Sequence, residues 1–384
     1  MKVQGFILID VDAAALNNAG TVPSAGIENK VETKKIIKNG QTYVYASGQA
    51  WRYWWRDTLQ KDINWKLSPV TKLENQNVVY TEANPIDYDD DDMFGYMRAA
   101  KETESDENGK PKIDAKGKEK TKDATVTRIS PLKNSALISV GAVRIAKNFS
   151  SMARQNDVPV LYGKDEYSAI MKGMFSIDIE QVGTFSNFNK TGFKNLNKKT
   201  LDLIENNKKD FEFFPDRFVK NKTGEPEQLI RLSKEIRGKR ITDTLKALKT
   251  ISGGAMQTNN LTDVTPKFIV LAITKSGNHP FSHIISSDPV NKENPILNIN
   301  DLKSVISEYE NDFICNIYIG RRGGFWNEFE LDLQSLNRVE DEKKDTTKEE
   351  NRKTKIKVIY KNSIVDTIDS FCIEIEKLVI QNKK

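Results

Sequence analysis

The chain has 384 residues, with 59 Lys plus Arg against 54 Asp plus Glu, and the resulting net charge of +5 is too small to announce a nucleic-acid partner by itself. Charged residues make up 29% and the mean hydropathy is −0.58; no apolar run approaches the roughly 18 residues of a membrane span, so the expectation is a polar, cytoplasmic protein with no membrane partner. Two cysteines, Cys315 and Cys372, lie in apolar runs and read as small buried hydrophobes in a reducing compartment, not as a disulfide framework.

Taken in chain order, Val3 to Asp12 is rich in aliphatic residues and ends at a turn cluster of Asn17, Asn18 and Gly20, which predicts a buried first strand. The opening MKVQGFILID has no small-residue cleavage site and does not read as a signal peptide. Thr42 to Tyr45 predicts a short strand. Ser47 then precedes GQAWRYWWRDTLQK, where Trp51, Trp55 and Leu59 recur at helical spacing, so Ser47 is an expected N-cap. From residue 73 to 128 the character changes to NPIDYDDDDMFGYMR and then to a charged tract, Lys101 to Ala124, expected to be disordered. Ser135 to Ala146 and Met174 to Ile179 predict strands joined by a long polar connection. Residues 199–251 read as helix-rich, best in RITDTLKALKTI, with Gly253 and Gly254 as the stop. Lys267 to Thr274 and Phe313 to Ile319 predict strands, 340–355 is a second charged tract, and Ile364 to Val379 predicts an amphipathic terminal helix. This order fits an α+β domain with an antiparallel sheet, of which the split βαβ or RRM-like arrangement is one member.

Three clusters invite a chemical reading. Arg52 and Arg56, four apart on one helical edge, can grip neighbouring phosphates, while the three tryptophans among them read mostly as core. SGGAMQTNNLTDVTPKF, 252–268, offers backbone N–H groups and small polar side chains to a phosphate backbone, or is simply a connecting loop. Asp87 and Asp89 to Asp92 have the oxygens for a hard cation but not the spacing of a known calcium loop, so a solvated acidic loop is expected, with no metal. His279 and His283 are four apart with Pro280 between them, which breaks the helix a metal pair needs. No GxSxG, Walker lysine loop, HExxH or Cys/His pairing occurs, so no catalytic residue and no cofactor is assigned.

Four blocks, GFILIDVDAAALNNAG (5–20), YASGQAWRYWWRDTL (45–59), RISPLKNSALISVGAVRI (128–145) and LKTISGGAMQTNNLTDVTPKFIVLA (248–272), resemble the type I-B CRISPR Cascade backbone subunit, the DevR autoregulator family. The resemblance implies an RRM-like (ferredoxin-like) palm with an antiparallel sheet and inserted finger and thumb elements. It places the first part of the palm at 1–72, the inserted finger/thumb region at 73–128, the rest of the palm with a helical insertion at 129–339, and a charged linker with a C-terminal helix at 340–384. It implies a non-catalytic subunit that binds CRISPR guide RNA through the phosphate backbone and stacks head to tail with other copies of itself. Its further partners would be other Cascade subunits and the target DNA strand paired to the guide. GFILIDVD lacks the paired aromatics of an RNP1 pattern, so the RNA is expected over helix ends and loops and not across the sheet. The residues assigned to RNA contact are Asn17, Asn18, Ser47, Gln49, Arg52, Arg56, Arg128, Lys133, Gly253, Gly254, Met256, Gln257, Thr258, Asn259 and Asn260. The competing reading is a guide-dependent RNA endonuclease that uses the acidic loop, as related type III backbone subunits do.

Overall fold

The computed structural model describes residues 1–24, 27–72, 79–104, 110–113, 116–152, 160–337 and 356–381. The chain divides into two compact units that interleave along the sequence. The first comprises Met1–Ile63, Lys133–Ile177 and Thr242–Lys377; the second comprises Asn64–Leu132, Asp178–Ile241 and Leu378–Lys384. The class is α+β, and the pairings described for the main sheet are mostly antiparallel.

The first unit is built on β1 (Lys2–Ala14), β2 (Lys35–Lys38), β3 (Gln41–Ala46), β4 (Leu137–Ser139), β5 (Val160–Asp178), β6 (Phe268–Thr274), β7 (Ile317–Arg321) and β8 (Val358–Lys361), in the spatial order β8-β7-β6-β1-β5-β4-β3-β2. The pairs β1–β6, β6–β7, β4–β5, β3–β4 and β2–β3 are antiparallel, and β7–β8 is parallel. Every residue from Val3 to Ile9 is buried, as a strand covered on both faces requires. One face is covered by a cluster that includes Phe6, Leu8, Phe268, Phe281, Phe313 and Leu333.

The other face receives helix α1 (Gly48–Lys61), which starts where Ser47 accepts a hydrogen bond from the Ala50 amide at 3.3 Å. Trp51 and Trp55 are buried and stacked at 5.4 Å, and both meet the ring of Phe175 edge-on. The Trp55 indole donates to the Thr244 carbonyl at 2.7 Å. These rings fit because glycines make room: a Cβ on Gly5 would fall inside the Phe175 ring, and one on Gly173 would collide with Leu137 and Trp51. The tryptophans are core, as expected. The terminal helix also forms, from Ile364 to Glu376 with Ser363 as its cap, and buries Ile368, Phe371 and Ile375.

Several expectations are corrected. β5 is one strand of 19 residues where a long polar connection was expected, and Ala146–Met152 pairs along it. Its polar residues alternate with buried positions, and Lys164 and Asn148 satisfy Glu166 at 2.5 and 2.6 Å, so polarity did not signal loop. Within the charged tract, Lys101–Thr103 pairs with Thr121–Asp123, and Lys120–Glu104 and Lys122–Glu102 join opposite charges across it. Residues 105–109, 114–115 and 338–355, the last holding the whole of the second charged tract, lie outside the described residues. The stretch 199–251 contains a hairpin, Glu212–Lys220 with Pro226–Arg231, between Lys198–Asn206 and the helix Lys234–Lys246. That last helix ends well before Gly253 and Gly254, so they are not its stop.

The largest correction concerns the acidic run. In the second unit Asp89–Phe94 is a short helix, and Asp90, Asp91 and Asp92 are buried instead of solvated. Asp90 accepts from the Ser68 amide at 2.8 Å and Asp91 from the Asn84 amide at 2.9 Å. Asp92 accepts from the Gly183 amide at 2.9 Å, from Arg240 at 2.6 Å and from Arg128. Asp89 pairs with the Nε of Arg240 at 2.7 Å. Four carboxylates in a row read as a hydrated loop in sequence; here each has a donor supplied from elsewhere in the same unit.

Two predictions follow from this burial. Asp92→Ala takes from the buried Arg128 guanidinium the carboxylate it pairs with and leaves Arg240 with Asp89, and should cost about 3–5 kcal/mol, whereas Asp87→Ala on the exposed side should cost less than about 0.5 kcal/mol; urea melts of the two variants check this, and equal midpoints would contradict it. Cys315 and Cys372 are buried, and burial pushes both thiols up to about 12. The folded chain therefore keeps these protons where the unfolded chain releases them above about pH 8.5, so the thiols' contribution to stability falls as pH rises from there towards 12. A thiol reagent at pH 8 should titrate neither cysteine until denaturant is added.

Candidate nucleic-acid interface

Four chain segments meet around α1, all within the first unit. The turn after β1 is the first. Leu16 receives the Ala255 amide on its carbonyl at 2.8 Å and gives its own amide to the Tyr167 hydroxyl at 3.2 Å. With its amide oriented by the surrounding groups, the Asn17 nitrogen faces the Tyr45 carbonyl at 2.8 Å and its oxygen the Ser47 amide at 3.3 Å. The turn is thereby tied to the cap of the helix, and Asn18 next to it is exposed.

The second segment is α1 itself. Its buried side is Trp51, Trp54, Trp55, Thr58 and Leu59. The side turned outward carries Gln49, Arg52, Tyr53 and Arg56, at i, i+3, i+4 and i+7. Tyr53 is 67% exposed and was not among the expected contacts, although that same spacing marks it. No acidic residue stands in the first turn, so the positive end of the helix dipole is not offset there. Burial lowers the pKa of Arg52 to about 10, which leaves it charged at neutral pH but partly stripped of water.

The third segment holds Arg52 in place. Asn134 accepts from Arg52 Nη1 at 3.0 Å while its own amide nitrogen donates to the Gly48 and Ser135 carbonyls at 3.1 and 3.0 Å. Lys133, beside it, is exposed. Asn134 was also missed; its signal was a side-chain amide inside the third quoted block.

The fourth segment is the Gly-rich loop. Gly253 lies against Trp54 so closely that a Cβ would enter the indole ring, and the Ser252 amide reaches Thr58 Oγ1 at 3.3 Å. Gly254 adopts φ +112°, and Met256 and Leu261 are left-handed at φ +55° and +44°. A single helical turn, Gln257–Asn260, sits between the last two. Gln257 donates back to the Gly253 carbonyl and to the Thr262 carbonyl at 3.3 Å, which closes the loop on itself. Thr258 and Asn259 are exposed at its tip, and Asn260 is half-buried.

Of the expected contact residues, fourteen therefore fall in these four segments. Arg128 does not. It belongs to the second unit, is 4% exposed, and binds Asp92 and the carbonyls of Thr184 and Gln181 while lying over the Phe185 ring. Its guanidinium is used up by that core.

The chain matches the sequence profile of the family described as "CRISPR-associated negative auto-regulator DevR/Csa2" over residues 7–294. It belongs to the DevR/Csa2 family. The matched span of this DevR/Csa2 chain includes all four interface segments and the whole of α1. Among solved structures, one titled "CRISPR RNA-guided surveillance complex" is 8% identical, with a TM-score of 0.45 over 97% of this chain and 99% of its own. Another, "CRISPR RNA-guided surveillance complex, pre-nicking", is 10% identical, with a TM-score of 0.49 over 98% and 100%. No curated protein matches the sequence.

Because Gly253 touches the Trp54 ring, Gly253→Ala should displace the loop or the indole and cost about 1–3 kcal/mol as an overpacked site does. Gly277→Ala, which meets nothing within 4 Å, is the control. Equal thermal midpoints for the two variants would show that the loop yields freely.

Proposed function

We propose that this chain is the non-catalytic backbone subunit of a type I CRISPR surveillance complex, Cascade, of the I-B kind, acting in the cytoplasm. It binds CRISPR guide RNA through the phosphate backbone, repeats head to tail with copies of itself beside other Cascade subunits, and presents the guide to a target DNA strand. The observation that carries this reading is the convergence of four sequence-distant segments around α1. There they set side-chain amides, a Gly-rich loop and the arginines of α1 together without a carboxylate in the first turn.

Each group has a role suited to a backbone and not to bases. The α1 amides and the loop amides from Gly253 to Asn260 favour anionic oxygens. Arg52, oriented by Asn134, points a planar donor set at a phosphate, and Arg56 stands one turn further on. Lys133 adds a mobile charge, and Tyr53 offers a ring to a base of any identity. An RRM-like palm is supported by the order of elements, β1, α1, β4, β5, helix Lys234–Lys246, β6, combined with the spatial order β6-β1-β5-β4. The endonuclease alternative loses its acidic loop, because Asp89 to Asp92 are committed to amides and arginines.

Arg52→Glu/Arg56→Glu removes two attractions and adds two repulsions per subunit. RNA co-purified per subunit should fall by about tenfold or more, and filaments should shorten, while circular dichroism stays that of the parent. Parental RNA content in the folded variant would overturn this placement of the guide. Binding should also be indifferent to spacer sequence and weaken with salt at a slope of about −0.7 per phosphate contacted; a marked preference for one spacer at fixed salt would contradict backbone reading.

A further inference from the structure

The face of the main sheet opposite α1 carries a second cluster that the interface does not use. Across its outer strands the register sets Lys172 opposite Ile138, Ile138 opposite Tyr45, Ile36 opposite Tyr43 and Lys38 opposite Gln41. Directly opposed residues of antiparallel strands project to the same side, and alternation along β3 keeps Gln41, Tyr43 and Tyr45 together. Burial agrees: Val44 and Ala46 are fully buried on the other side, whereas Tyr43, Tyr45, Ile138 and Lys172 are half-buried and Ile36 is 43% exposed.

The strands of this face carry charge of one sign, while the flanking segment 282–294 brings Asp288 and Glu293, the latter paired with Arg144. No Asp or Glu occurs in 34–46, 135–143 or 168–177, the stretches that build it, in a chain that has 54 of them. Lys172 hydrogen-bonds the Ser282 carbonyl at 3.2 Å and not a carboxylate. Burial lowers its pKa, and the nearby charge of Lys38 lowers it further. A desolvated cation beside a second cation is costly to hold unless an anion arrives. Two adjacent tyrosine rings next to that pair suit a partner that alternates anionic groups with flat faces.

We propose that this face, with Tyr43 and Tyr45 flanked by Lys38 and Lys172, binds a single-stranded nucleic acid at a place separate from the α1 interface. The lysines take phosphates and the tyrosine rings take bases, so the contact is indifferent to sequence. This goes beyond the guide-binding reading and does not depend on it. The RNP1 pattern is sought on the central strands; here the aromatics stand on β3, towards the sheet edge.

The test uses the full purified chain, a fluorescein-labelled oligothymidylate, ultraviolet crosslinking with mass-spectrometric mapping, and anisotropy. Adducts are expected on the peptide containing Tyr43 and Tyr45, and Lys38→Glu should weaken binding by about fivefold or more at low salt. Tyr43→Leu/Tyr45→Leu, which preserves apolar bulk, should remove the adducts with the fold intact by circular dichroism. The same adducts should persist in Arg52→Glu/Arg56→Glu, so that failure of the guide interface and failure of this face are read separately. No adduct on this face together with affinity unchanged by Lys38→Glu overturns the proposal. So does a Lys38→Glu variant that alters only the oligomeric state, because a second copy of the chain would then be what covers the face.

Discussion

The seating of α1 on the sheet is the constraint on which the rest of the first unit depends. Three large rings, Trp51, Trp55 and Phe175, interlock over strands that have given up side chains at Gly5 and Gly173 to admit them. Interiors tolerate little change of volume, so the helix has one position along and around its axis. That position fixes where Ser47 caps, where Arg52 meets Asn134, and where the loop at Gly253 must pass against Trp54. The interface inherits its geometry from a hydrophobic contact that includes none of its charged groups.

In the second unit charge has the opposite use. Asp92 sits between Arg128 and Arg240, and Asp90 and Asp91 terminate loop amides, so a short helix of mostly acidic residues forms part of an interior. Such an arrangement gives little net stability over apolar packing, but removing one partner leaves an uncompensated charge. Charged residues thus face outward on α1 in the first unit and hold a core together in the second.

Much of this was legible in the sequence where a local signal and a burial pattern agreed. Ser47 as cap, the tryptophans as core, β6 as a strand and the terminal helix all have a period that chemistry reads directly. Parts of all four sequence blocks proved to be spatial neighbours, which no pattern within any one of them declares. What was not legible depended on distant partners. Asp89 to Asp92 look hydrated until Arg128, Arg240 and the amides of Ser68 and Asn84 are placed beside them. Arg128 looked like a phosphate ligand for the same reason. β5 was hidden because its polar residues are satisfied across the strand by Asn148 and by their own neighbours. Gly253 was read as a helix stop because glycine's conformational freedom is the commoner reason for its use; here the absence of a Cβ beside a ring is what counts.

That last contact has an optical consequence. The indole of Trp54 is covered in part by main chain at Gly253, so its exposure to water responds to the position of the loop. A ligand that presses the loop down leaves the ring shielded, and one that lifts it wets the ring. The part of the tryptophan emission lost in Trp54→Phe would follow the loop in real time and without a dye.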